Sequence, residues 1–189
     1  MRRTSPPALI IGLLLASVAT AQVKYFPPDF PANWYAKHLT ALREPSLWES
    51  SKTQQTQSFR FLWLRTFHHP IAIRIDVNAD GTSLLTRKMA DGAGGYDPGK
   101  LVQNETITLP REHTNRFLAQ IEANNFWKLP SVQETPGGPD GAQWVVEGFR
   151  DGTYHVVDRW SPERGEIRAL GLLMVQDLAK MKLAAKEVY

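Results

Sequence analysis

The chain of 189 residues contains no cysteine. That excludes a disulfide-stapled scaffold, an iron–sulfur cluster and cysteine-ligated zinc. It also lacks a strong charge of either sign, with 22 Lys and Arg against 19 Asp and Glu. Nucleic-acid binders gather basic residues on one surface, and the basic residues here do not cluster along the chain, so no nucleic-acid partner is expected. Long apolar runs are missing too. The longest, Ala8 to Ala19, has 12 residues and is interrupted by Gly12 and Ser17, whereas a membrane-crossing helix needs about 20. No stable membrane span is expected once a signal is removed. Nor does any segment carry a complete cofactor signature, and none is expected.

The N-terminus has three parts in order: Arg2 and Arg3, the apolar run, and the small residues Ala19-Thr20-Ala21. This is the pattern of a cleavable export signal over residues 1–21, and it predicts a periplasmic or secreted protein. A bacterial lipid anchor would need a cysteine after the small residues, and none is there. Without Arg2 and Arg3, 20 basic residues face 19 acidic ones, a net charge near +1. The remainder suits a single domain large enough to bury a core without staples.

Residues 22–58 read as an N-terminal piece. Pro27, Pro28 and Pro31 with Tyr25, Phe26 and Phe30 suggest an extended leader strapped to the domain. Asn33 can cap a short helix carrying Trp34, Tyr35, Leu39 and Leu42, and a polar surface loop is expected over 46–58. Residues 59–189 read as an α+β domain. Phe59, Phe61 and Trp63 alternate with Arg60, Leu62 and Leu64, so the strand is apolar on both faces and belongs in the middle of a sheet. Ile71, Ile73, Ile75 and Val77 alternate with polar positions, and Asn78-Ala79-Asp80-Gly81 turns the chain into a partner strand. A further strand at Val102–Leu109 precedes a helix opened by Pro110 and stopped by Asn124-Asn125. Ala142–Phe149 and Thr153–Trp160 form a hairpin, and Ser161-Pro162-Glu163 starts a last helix with Ile167, Leu170, Met174, Leu178 and Met181 on one stripe. The expected fold is an antiparallel sheet with two main helices packed on one face, plus the short N-terminal helix.

Two motifs resemble ligand loops without completing them. Asp76, Asn78 and Asp80 with Gly81 match the start of a calcium loop, but its twelfth position is Arg87, where a bidentate glutamate is required. Gly94 to Lys100 has phosphate-loop spacing, but Leu101 replaces the hydroxyl residue and a strand follows instead of a helix. His68 and His69 are adjacent, so on a strand they would point to opposite faces, and no metal site is expected.

The hairpin carries the most pointed candidates. A three-residue turn with Gly152 in the left-handed position would pair Glu147 with His155 and Gln143 with Arg159. Gln143, Glu147, His155 and Arg159 would then form one polar ladder, a candidate ligand-binding face, with Glu147 raising the pKa of His155. Asp140-Gly141-Ala142-Gln143-Trp144, Tyr154-His155, Arg159-Trp160-Ser161-Pro162 and Phe126-Trp127-Lys128-Leu129-Pro130 together resemble elements of small exported bacterial proteins of unknown function, over roughly Ile71 to Leu183. The resemblance implies an α+β domain in the bacterial envelope and no activity. With no nucleophile beside the hairpin, the expected function is a non-catalytic binding module whose partner is an envelope protein or cell-wall component. The alternative is a hydrolase using Glu147 and His155 as an acid–base pair.

Overall fold

The computed structural model describes residues 23–31, 34–133 and 137–189. The export signal expected at 1–21 and the cap expected at Asn33 lie outside the described residues.

Six antiparallel strands form one sheet: β1 (Gln57–Arg65), β2 (Ile71–Val77), β3 (Ser83–Ala90), β4 (Leu101–Leu109), β5 (Ala142–Arg150) and β6 (Thr153–Trp160), in spatial order β4-β3-β2-β1-β5-β6. The doubly apolar strand β1 is central, as its pattern requires. Phe59, Phe61 and Trp63 enter a first core, and Leu62 and Leu64 enter a second on the opposite face. The remaining elements divide between these faces. Phe117 and Ile121 of α3 (Arg111–Ala123) and Ile167 and Leu170 of α4 (Glu166–Leu172) join the first core. Tyr25 and Phe30 of the leader and Tyr35 and Leu39 of α1 (Tyr35–Ala41) join the second.

Two local expectations change. The polar stretch 46–58 is not all loop, because Leu47–Ser51 forms a short helix, α2, whose cap Ser46 accepts a hydrogen bond from the Glu49 N–H at 3.0 Å. The last helix starts at Glu166, later than Ser161-Pro162-Glu163 implied. Ser161 adopts a left-handed φ of 39° and its hydroxyl accepts from the Ala142 N–H at 2.8 Å. It is therefore tied to the sheet and not free to cap a helix. Beyond α4 the chain widens into a π-helical turn over Leu173–Leu178, which keeps Met174 and Leu178 in the first core.

Candidate functional site

The β5–β6 hairpin closes through two residues, Asp151 (φ 50°) and Gly152 (φ 79°), and not through three. Asp-Gly with both φ values positive makes a turn whose twist matches the strands it joins. The register moves by one residue as a result: Glu147 pairs with Val156, Gly148 with His155, Trp144 with Arg159 and Gln143 with Trp160. A one-residue slip turns every side chain to the other face. The ladder expected from the sequence is thus divided, with Gln143 and Glu147 facing the second core and His155 and Arg159 facing the first.

Each of the four has its own surroundings. His155 donates from Nε2 to the Leu129 carbonyl at 2.9 Å and meets the edge of Phe126, with ring centres 5.2 Å apart. Burial holds its pKa below the usual histidine value. Arg159 donates to the Pro130 carbonyl at 2.9 Å. These two residues brace the loop after α3. The buried Gln143 Oε1 has no hydrogen-bond partner among the described residues. Glu147 and His155, the pair an acid–base reading needs, do not meet.

Glu147 instead belongs to a network of buried charge that the sequence reading missed. Its Oε1 accepts from Arg60 Nε at 2.9 Å and Nη2 at 2.5 Å, and its Oε2 accepts from the Tyr154 hydroxyl at 2.8 Å. Arg60 also donates to Glu44 at 3.2 Å and to the Pro45 carbonyl at 2.7 Å. Glu44 gathers two further cations, Arg74 at 3.0 Å and Lys88 at 2.8 Å. Burial pushes the Glu44 carboxyl upward, and the surrounding Arg60, Arg74 and Lys88 outweigh it, leaving the pKa below the usual carboxylate value. At Glu147 burial prevails over Arg60 and Tyr154, and the shift is upward. The signal was present in the sequence: an arginine in the middle of an apolar central strand must find a buried anion. The network fastens the segment after α1 to the sheet, and its charged groups are spent on one another.

The expected calcium ligands are engaged in the same way. Asp76 accepts from Ser58 at 2.6 Å and from Arg74 at 2.9 Å. Asp80 accepts from the backbone and hydroxyl of Thr82, as in an ordinary hairpin turn. No His, Asp and Glu cluster among the described residues could hold a metal ion.

An outward-facing feature appears at the end of the sheet where β1 turns into β2. Phe67, in that turn, and Tyr96, in the glycine-rich loop before β4, are 61% and 59% exposed, with ring centres 6.3 Å apart. The two loops carrying them are joined through backbone: Gly94 N–H donates to the His68 carbonyl at 2.8 Å and Gly95 N–H to the Thr66 carbonyl at 3.2 Å. The loop is also closed on itself, with Asp91 accepting from the Lys100 N–H at 2.6 Å and Asp97 from the Gly99 N–H at 2.8 Å. A side chain at Gly94 would place its β-carbon 2.6 Å from the Arg65 nitrogen. The glycines with phosphate-loop spacing therefore serve close backbone approach. On the other side of the turn, His68 Nδ1 lies 2.8 Å from the Tyr189 hydroxyl. The product is a pair of exposed rings on a rigid base.

The chain matches no protein-family model and no curated protein sequence. Among the described residues, no helix is long and apolar enough to cross a membrane.

Proposed function

We propose that the protein is a non-catalytic binding module of the bacterial envelope, and that Phe67 and Tyr96 are its contact surface for a protein partner. The observation that carries this reading is the exposed aromatic pair held by backbone hydrogen bonds between two loops. Aromatic side chains anchor protein interfaces because each buries a large area with few rotatable bonds to freeze. Burying one such side chain contributes about 1.5–3 kcal/mol. A base already ordered before binding reduces the entropic cost of association. The export pattern over residues 1–21 and the resemblance to small exported bacterial proteins support the envelope location.

The reading is tested with a photo-crosslinking phenylalanine derivative, which preserves an aromatic ring, placed at Tyr96 and separately at Thr53 on the polar stretch after α2. The expected result in envelope extract is one saturable protein adduct from position 96, absent from position 53, and suppressed by excess wild type but not by the Phe67→Ala/Tyr96→Ala variant. Equal adducts at both positions, or equal competition by the variant, would remove the tip from consideration.

A further inference from the structure

The two edges of the sheet are finished differently. On β6, the outward Asp158 N–H donates to the Ser131 carbonyl at 2.7 Å, and the Trp160 N–H donates to the Gln133 side chain at 2.9 Å. Arg159 reaches over the same loop to Pro130. The C-terminal half of that edge is closed by the chain's own loop. On β4, six of nine residues are exposed, and among the described residues β4 ends the sheet with β3 as its only strand neighbour. No hydrogen bond from another segment of the described residues closes its outer side.

An open strand edge is a row of unpaired N–H and C=O groups. Proteins blunt such edges with charged side chains, above all lysine, or with proline, bulges or short length. β4 carries few of these devices: one charge, Glu105, already held by Arg87 and Gln103, and one register shift at its first residues. Leu101–Leu109 contains no Lys, Arg, Pro or Gly, and the single register shift falls at its start, opposite Met89 and Ala90. The strand is rich in residues that favour a pleated surface, with Val102, Thr106, Ile107 and Thr108 all exposed.

We propose that β4 pairs antiparallel with β4 of a second copy, joining two sheets into one of twelve strands about a two-fold axis at Asn104. Charge selects the copy and the register. A two-fold perpendicular to the sheet keeps each face in place, so residues of like parity must oppose one another. With the axis at Glu105, two carboxylates would be directly opposed, which is destabilising. With the axis at Thr106, Glu105 would face Ile107 of the second copy. With the axis at Asn104, the two amides face each other and Gln103, a donor, faces Glu105, an acceptor. Regular pairing then covers Gln103, Asn104 and Glu105 of each copy, because the register shift at the start of β4 leaves Val102 unpaired and turns Leu101 to the second core, away from the face of Leu109 and Ile107. Gln103 already donates to Glu105 of its own strand at 2.9 Å, so the two side chains share a face and have the reach this pairing uses. Arg87 on β3 donates to the same carboxylate, which lowers the cost of bringing two copies of Glu105 near one axis.

The absence of cysteine makes the register directly measurable. Opposed residues of an antiparallel pair have α-carbons about 4.5–5.5 Å apart, inside the range a disulfide spans. Protein expressed from the full chain is purified as wild type and as three single-cysteine variants, Asn104→Cys, Glu105→Cys and Thr106→Cys, and each variant is oxidised. The expected result is rapid, near-complete disulfide dimer from Asn104→Cys and little from Thr106→Cys, whose sulfurs would lie about four residue steps apart, roughly 13 Å. Wild type should show a mass rising from one to two chains by light scattering as its concentration approaches about 100 μM. The Asn104→Lys variant, which sets two ammonium groups side by side, should stay monomeric with an unchanged circular dichroism spectrum. A wild type monomeric at every concentration overturns the proposal. So does equal oxidation of the three variants, or faster oxidation at Glu105 or Thr106.

Discussion

Two titrating groups, one on α1 and one on β6 beneath it, oppose each other over the same pH window. The Tyr35 hydroxyl donates to Asp158 Oδ2 at 2.7 Å, and the other carboxylate oxygen is buried without a partner among the described residues. Burial pushes Asp158 up to about 6, against the pull of Tyr35 and Arg159. His38, one turn along the helix, is fully buried, with neither ring nitrogen hydrogen-bonded among the described residues. Burial, assisted by Lys37 and opposed by Asp97, pushes it down to about 4. An acid whose folded pKa is raised stabilises the fold when protonated, so Asp158 adds stability as pH falls from about 6 toward its unfolded value near 4. A base whose folded pKa is depressed stabilises the fold when neutral, so His38 withdraws stability as pH falls from about 6.5 to about 4. Each shift spans a little over two pH units, and one unit is about 1.4 kcal/mol, so each group is worth about 3 kcal/mol with opposite sign. Their sum in the wild type is close to flat. Asp158→Asn removes one side, and its stability relative to wild type should fall by about 3 kcal/mol between pH 7 and pH 4. His38→Leu removes the other, and its relative stability should rise by a similar amount. Urea unfolding at a series of pH values measures both, and comparison with wild type cancels every other group. Differences that stay constant across the window would refute the reasoning.

Two further outcomes follow from the packing. Arg60→Met leaves Glu147 buried with only Tyr154, and should cost about 3–5 kcal/mol in urea unfolding, a melting-temperature loss on the order of 10 °C; Arg60→Met/Glu147→Leu should recover at least half of it, because the orphaned charge goes too. Gly148→Ala sets a β-carbon 2.4 Å from the ring of Phe59, its partner across β1, and should cost about 1–3 kcal/mol through overpacking, whereas Gly165→Ala, with nothing within 4 Å, meets no such clash and is limited to the strain of its φ of 99°.

What could be read from the sequence was what repeats along it. Period two in Ile71–Val77 and the doubly apolar β1 gave strand positions and a central location, because burial writes itself into alternation. The Asn124-Asn125 stop of α3 was equally legible, Asn125 taking the left-handed φ of 48° that ends helices. What could not be read were pairings between distant segments. Phe67 and Tyr96 belong to separate loops, and the bonds that join those loops, at Gly92, Gly94 and Gly95, bring them together. Arg60 and Glu147 each sit in an apolar strand, and their meeting depends on β1 lying between β2 and β5.

The hairpin shows how a sound local argument can select the wrong face. The three-residue turn is attractive because it puts Trp144, Tyr154 and Trp160 on one side, which would be right for a sheet with one wet face. This sheet is covered on both faces, so aromatics are accommodated on each: Trp144 enters the first core, while Tyr154 packs against the second. Scattering aromatics over both faces, which the two-residue Asp-Gly turn does, therefore carries no penalty here. Double-mutant cycles separate the two registers in solution. Glu147 and Tyr154 share a hydrogen bond, and Glu147→Gln with Tyr154→Phe should show a coupling of about 0.5–3 kcal/mol. Glu147 and His155 share no partner and project from opposite faces, so Glu147→Gln with His155→Ala should be additive within about 0.5 kcal/mol. A coupling above about 1 kcal/mol between Glu147 and His155 would restore the ladder and the acid–base pair with it. Additivity there, with coupling to Tyr154, fixes Glu147 as an internal counter-ion of Arg60 whose role is to hold the segment after α1 on the sheet.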